Sequence, residues 1–263
     1  MKILPKKPIL FLKIFIKNLY YTTCLIIFSR IYTKKKLGSY GEFYFHSQFY
    51  FSNFNKWFQS DKNKGFSIFY ENAKNKKCIL DVGSHIGLTI LPISSKNNFI
   101  HAFDISKTNC LILQKHLKIN NKNNVKINNL CVSNKTTKIK YYDTLFSSPN
   151  NTVNSSTNNI FNSPIMIESI KLDDYVHINK LKPDVIKIDV EGYEYFVLEG
   201  AIKIINKYNP LIILSYHPNL LKKNGINNIK FMKLVNDLQL SIKRINGKIP
   251  STLKSEDYIL QKC

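Results

Sequence analysis

Cys78-Ile79-Leu80-Asp81-Val82-Gly83-Ser84-His85-Ile86-Gly87 is the stretch on which the fold turns. A short apolar run that ends in a glycine turn reads as a buried strand leading into a helix. A turn of this kind lets a ligand approach backbone N–H groups at the mouth of a βαβ unit. Taken alone it is equally a tight strand–helix connection, and its surroundings decide between the two. Asn98-Phe99-Ile100-His101-Ala102-Phe103 is a second strand-like run, and it ends at Asp104, 21 residues after Gly83. In a βαβ unit that interval sets a carboxylate beside the glycine loop, where it can accept both hydroxyls of a ribose. The pattern D-x-G-x-x-x-G lacks the third, close-packing glycine of a dinucleotide fingerprint, and no G-x-x-x-x-G-K-[ST] loop occurs. The ligand expected is therefore a nucleoside without a pyrophosphate.

Working outward, Thr108 to Asn120 carries Leu111, Ile112, Leu117 and Ile119 at helical spacing, and Val125 to Val132 reads as a third strand. Lys138–Tyr142 and Pro164–Ile170 are short strands on either side of a polar loop, Ser147 to Ser163. Asp184 to Asp189 is a buried-type strand, followed by one helix from Tyr193 to Tyr208 that Pro210 closes. Leu211 to Tyr216 is a further apolar strand ending at His217-Pro218. Strands alternating with helices predict an α/β fold with a mostly parallel sheet covered on both faces. The expected division is a basic, aromatic-rich extension over 1–76 and the α/β domain over 77–263.

Within the extension, Phe66, Phe69 and Tyr70 predict an amphipathic helix leading into the core. The aromatic stretch Tyr40 to Phe58, with the only Trp, Trp57, is helical or extended; periodicity does not decide. Ile9 to Tyr32 is apolar but interrupted by Lys13, Lys17, Asn18 and Arg30. Its longest clean run, Leu19 to Ser29, is shorter than the roughly 20 residues of a membrane span, and no small-residue cleavage site follows. Two expectations stand: a helix docked on the domain, or a basic helix on an anionic membrane, with Lys34, Lys35 and Lys36 just beyond it.

The 39 Lys and Arg against 17 Asp and Glu leave a formal charge of +22, which attracts polyanions. Lys is scattered rather than gathered in an arm, so nucleic acid ranks below a small-molecule or glycan acceptor as partner. The five cysteines, Cys24, Cys78, Cys110, Cys131 and Cys263, contain no C-x-x-C pair and are odd in number, which suits a reducing, cytoplasmic setting. Nothing in the sequence speaks to the oligomeric state.

Lys187-Ile188-Asp189-Val190-Glu191-Gly192-Tyr193-Glu194 places several acids at the carboxyl edge of the sheet, where open α/β folds bind ligands. A helix dipole explains Glu194 well and Glu191 in part, but it explains poorly an Asp189 still on an apolar strand. The runs DVGSHIG, HAFD, IKLDDY and PDVIKIDVEGYEYFVLEGA occur in that order. Together, over residues 66 to 220, they resemble the FkbM-type methyltransferases. The resemblance implies a Rossmann-like, seven-stranded methyltransferase fold, S-adenosylmethionine as cofactor, and O-methylation of a hydroxyl on a sugar, glycan or polyketide. It implies that Asp81, Gly83 and Gly87 line the methionine end, that Asp104 holds the ribose, and that Asp189 faces the reaction centre. Ser84 and Asn129 join them as cofactor-binding candidates. Three positions depart from the family pattern: His85 stands for Asn, Asp104-Ile105 for Glu-Pro, and Ser215 for an acid.

Methyl transfer to a hydroxyl needs in-line positioning and a base. His217 is the first candidate because an imidazole titrates near neutrality, with Asp189 and His85 next. Glu191 and His217 are candidates for substrate binding. A divalent cation held by Asp189, Glu191 and His217 ranks lower, since neither a His pair nor D-x-D supports it, and no metal is expected. Rival readings are an RNA methyltransferase using the basic surface and a membrane-associated cofactor-binding scaffold.

Overall fold

In the computed structural model, residues 31–54, 64–141 and 165–262 are described, with Ile16, Leu19, Tyr20 and Thr23 as isolated positions. Most of the apolar N-terminal segment, Trp57, the Ser147 to Ser163 loop, Cys24 and Cys263 lie outside the described residues.

An N-terminal hairpin, β1 (Tyr32–Lys36) and β2 (Glu42–His46), precedes a single 3-10 turn over Ser47–Phe49. Helix α1 (Lys64–Ala73) then leads into β3 (Cys78–Val82), α2 (Ile90–Ile93), β4 (Phe99–Phe103), α3 (Lys107–Ile119) and β5 (Val125–Asn128). Strands β6 (Cys131–Val132), β7 (Thr137–Tyr141) and β8 (Ile165–Ile170) follow, then α4 (Leu172–Ile178) and β9 (Val185–Ile188). The chain continues through α5 (Glu194–Glu199), α6 (Ile202–Tyr208), β10 (Leu211–Ser215), α7 (Pro218–Lys223), α8 (Asn228–Asp237), β11 (Leu240–Arg244) and β12 (Asp257–Lys262).

The main sheet has seven strands in the order β11-β12-β10-β9-β3-β4-β5. Neighbours from β10 through β5 run parallel, and β12 runs antiparallel between β11 and β10. The expected mostly parallel, seven-stranded Rossmann-like fold is present. Alternation along the strands splits the core in two. Leu80, Val82, Phe103, Ile186, Ile188, Ile212 and Leu214 pack with α4, α5, α6 and α8. On the other face, Ile79, Ile100, Ala102, Val185 and Ile213 pack with α1, α2, α3 and the hairpin residues Leu37 and Phe45. After β3 the chain builds β4 and β5 to one side, then returns to place β9 on the other. That reversal between β3 and β9 is the switch point, beyond whose strand ends ligands bind.

Two expectations about elements are corrected. The third strand stops at Asn128, because the amides of Asn128 and Asn129 turn back onto the carbonyls of Ala102, Asp104 and Ile105. Cys131 and Val132 then join a separate three-stranded sheet, β6-β8-β7. The helix expected from Tyr193 to Tyr208 is two helices. A Cβ at Gly200 would stand 2.1 Å from the Ser133 carbonyl oxygen, and the Asp173 carboxylate accepts the N–H groups of Lys203 and Ile204 to start the second helix. The described part of the aromatic stretch, as far as Phe54, contains β2 and the 3-10 turn. Asn120, closing α3, pairs with the backbone of Tyr44 on β2 through both amide atoms and fastens the hairpin to the domain.

Candidate active site

The site is built at the ends of β3, β4, β9 and β10, around a cavity of about 1050 Å³. Gly83 follows β3 with φ +89°, and a Cβ there would fall 1.8 Å from the carbonyl oxygen of Asp189 at the end of β9. Only glycine permits these two strand ends to meet so closely. The N–H groups of Gly83 and Ser84 both donate to the Phe103 carbonyl, and that of His85 donates to Asp104 at 2.8 Å. The expectation that this turn offers its amides to a ligand is corrected for these three, which are spent in joining β3 to β4.

Asp104 is buried and lines the cavity. Besides the His85 amide it accepts the Ser106 N–H and the Asn109 side-chain amide. Burial pushes its carboxyl pKa up, against the pull of His85 and of these donors. Ile105 and Leu130 stand beside it on the cavity wall, apolar surface suited to a flat base.

At the other end of the cavity, Lys187 lies in the middle of β9, buried, and forms ion pairs with Asp81 on β3 at 3.5 Å and with Asp189 at 3.4 Å. Burial opposes its charge, but the two carboxylates outweigh that and hold its pKa above the usual value. Thr89 donates to the other oxygen of Asp81.

His217 follows β10. Its Nδ1 is 2.7 Å from the buried carboxylate of Glu194, and its Nε2 faces Glu191 at 3.8 Å and Asp189 at 4.0 Å. Burial works against the imidazolium, yet the Glu194 hydrogen bond and the charges of Glu194, Glu191 and Asp189 raise its pKa to about 9. The expectation of a ring titrating near neutrality is corrected: the surrounding carboxylates hold its proton. Glu191 is pushed up by burial and by the neighbouring acids, with His217 pulling the other way. Its backbone is left-handed, φ +50°, as is that of Gly192 after it.

Of the residues singled out in the sequence, Gly83, Ser84, His85, Asp104, Asp189, Glu191 and His217 line one cavity. Asp81, Gly87 and Asn129 do not. Asp81 acts through Lys187, Gly87 makes room for Leu113, and Asn129 holds the backbone after β4. His85 is tied to Asp104 rather than to His217. Lys187, Glu194 and Asp257 belong to the site although they are not among the candidates that the sequence singles out. A lysine inside the apolar β9 run was a legible signal, because such a charge survives only when paired. Asp257 offered none: it lies 42 positions from Ser215, yet their strands pair in register and its carboxylate accepts the Ser215 hydroxyl at 2.6 Å. The neighbouring strand thus sets a carboxylate beside Ser215, the position where the family pattern has an acid.

Fold and site together define a Rossmann-like α/β protein with a cavity at the switch point of its parallel sheet. The model of the Methyltransferase FkbM domain matches residues 81–259, more than half of the chain, and the protein belongs to this family. Among solved structures it is similar to the methyltransferase FkbM from Methylobacillus flagellatus KT, at 16% identity and a TM-score of 0.45 over 71% of this chain and 43% of that one. The chain therefore spans less than half the length of that relative. An O-methyltransferase from Bacillus cereus in complex with SAH is similar at 13% identity and a TM-score of 0.42, over 77% of this chain and 80% of that one. Magnesium protoporphyrin IX methyltransferase from Synechocystis PCC 6803, with SAM bound, is similar at 13% identity and 0.42, over 77% and 79%. No curated protein matches by sequence. No helix among the described residues is long and apolar enough to cross a membrane.

Proposed function

We propose that the cavity binds S-adenosylmethionine and that the protein transfers its methyl group to a hydroxyl of a sugar, glycan or related small molecule. The observation that carries this reading is Asp104, a buried carboxylate lining the cavity at the tip of β4, beside the glycine turn of β3. Charge supports it: Asp104, Asp189, Glu191, Glu256 and Asp257 line the cavity against Lys187 and Arg244, in a chain whose acids number 17 against 39 bases. Acids gathered in a basic protein suit a ligand that carries a sulfonium and an ammonium.

The residues present fit the cofactor. Asp104 would accept the ribose hydroxyls, Ile105 and Leu130 would flank the base, and Asp189 would attract the cationic end. When bound, the cofactor supplies an electrophilic methyl group. The chain's own part is alignment, which can lower such a barrier by roughly 7–11 kcal/mol, and acceptance of the hydroxyl proton, worth about 10²–10⁴-fold. Asp189 and Glu191 would take that proton, with His217, fixed by Glu194, within 4.0 Å and 3.8 Å of them.

Calorimetric titration with S-adenosylmethionine and S-adenosylhomocysteine tests this, with Asp104→Ala as control. Micromolar binding that the variant loses is expected. A folded wild-type protein that binds neither compound would sink the reading. With a cofactor-binding protein in hand, Asp189→Ala is expected to abolish turnover on an acceptor panel.

An RNA acceptor is the second reading, favoured by the +22 charge and opposed by the acidic lining. A steep salt dependence with sequence preference would support it, whereas weak, uniform binding is polycation behaviour. The basic strand Lys34–Lys36, with Tyr50 and Phe51 exposed beside it, would be the membrane-facing part if the protein works on lipid-linked glycans.

A further inference from the structure

We propose that Asp189, Glu191 and His217 bind one divalent cation of the magnesium–manganese type. The three offer ligand atoms that all lie within 4.8 Å of one another. His217 Nε2 is 3.8 Å from a Glu191 oxygen and 4.0 Å from an Asp189 oxygen. Ligands around an ion at about 2.0–2.2 Å stand roughly 3–4.4 Å apart, so the three side chains would close by a few tenths of an ångström around one ion.

The surroundings of His217 point the same way. A histidine that ligates a metal characteristically gives its second ring nitrogen to a carboxylate, which fixes the tautomer and aims the ring. Here Nδ1 is taken by Glu194 at 2.7 Å and Nε2 is left toward the two acids. Glu194 is wholly buried; one oxygen serves both His217 and the Gly192 N–H, and the other has no hydrogen-bond partner among the described residues. Glu194 thus fixes the ring so that Nε2 is presented to Asp189 and Glu191, the orientation a ligating histidine needs.

Local charge and backbone agree. Asp189, Glu191 and Glu194 converge on one imidazole, and the neighbouring Lys187 is shared with Asp81. Glu191 is held at φ +50°, the kind of strained backbone that persists where a side chain must be aimed. Two carboxylates with one imidazole favour a hard, oxygen-seeking ion over the softer, nitrogen- and sulfur-seeking metals. Three protein ligands leave positions open in the same cavity. On the methyl-transfer reading, and resting on it, adjacent oxygens of the acceptor would fill them, so a diol or hydroxy-carbonyl is the favoured acceptor class.

The test is titration of the full-length protein with MnCl₂, free ion being followed by electron paramagnetic resonance. One site per chain is expected, displaced by MgCl₂ and weakened at least about tenfold by Glu191→Gln and by His217→Asn. Asp104→Ala should keep the Mn²⁺ site while losing S-adenosylhomocysteine, so the two proposals fail separately. Absence of saturable Mn²⁺ binding in wild-type protein overturns the cation site, as does binding that both variants retain unchanged. Should either variant misfold, Mn²⁺ broadening of histidine ring signals in the wild-type NMR spectrum replaces it. Selective loss of the His217 signal supports the site, and an unaffected His217 overturns it.

Discussion

At the scale of single residues, Gly83 and Asp104 carry separable duties. Gly83→Ala places a Cβ against the Asp189 carbonyl at a backbone angle side chains avoid. It is expected to cost at least about 2 kcal/mol in urea denaturation. Loss of under half that amount would show that the β3 and β9 ends can part freely. Asp104 makes binding pH-dependent. Its carboxyl pKa is raised in the free protein, while on the proposed reading ribose hydroxyls would donate to the ionised form and lower it on binding. Affinity for S-adenosylhomocysteine should therefore be full above the raised pKa and weaken as pH falls through it. Calorimetry in buffers of different ionisation enthalpy should register proton release in that window; none at all would put the ribose elsewhere. Gly83, Asp104 and Asp189 were legible because residue type and spacing state their geometry. Glu194 was only half legible, since an acid near a helix start has an ordinary explanation in the dipole, and its grip on His217 depends on β10 lying alongside.

Among the elements, the joint between β3 and β9 is electrostatic as well as hydrogen-bonded. Lys187 on one strand meets Asp81 on the other, both buried. Removing one member of a buried pair strands the other charge, which costs about 3–5 kcal/mol, whereas removing both costs much less. Lys187→Met should accordingly be strongly destabilised, and Asp81→Asn combined with Lys187→Met should recover a large part. Additive losses in that double-mutant cycle would mean that the two charges do not act together. Strand identities were readable from apolar runs, and each of the seven segments read as strands overlaps one. The break at Gly200 and the departure of the chain after Asn128 were not readable. Each depends on a partner remote in sequence, Ser133 and Asp173 for the first and the carbonyls of β4 and its following turn for the second.

For the molecule as a whole, three buried histidines set an acid limit. His116 donates from Nδ1 to the Ile86 carbonyl and accepts the His46 N–H at Nε2, so both ring nitrogens are committed in the neutral form. His101 lies against the Tyr175 hydroxyl, which donates to Asn128. Burial lowers the pKa of His46, His101 and His116 to about 4. The unfolded chain takes up their protons near 6.5 and the folded one resists until about 4. Stability is thus level above 6.5 from this source and falls as pH drops between the two values, by at most about 1.4 kcal/mol per pH unit for each group. Chemical denaturation at pH 7.0, 6.0 and 5.0 checks this, and a flat profile would show that these rings protonate in place. These histidines link the hairpin to α3 and the main sheet to α4, so acid should loosen both together.

The linear chain by itself determined the alternation of strands and helices, the glycine turn, and the acids at the tips of β4 and β9. Those follow from hydrophobic period and from local backbone demands, which act over a few residues. The tertiary structure alone decided that Asp257 lies beside Ser215, that Glu194 aims His217, and that Lys187 joins Asp81 to Asp189. Each is a contact between strand ends or neighbours far apart in sequence, and only sheet order and register bring such groups within a few ångströms.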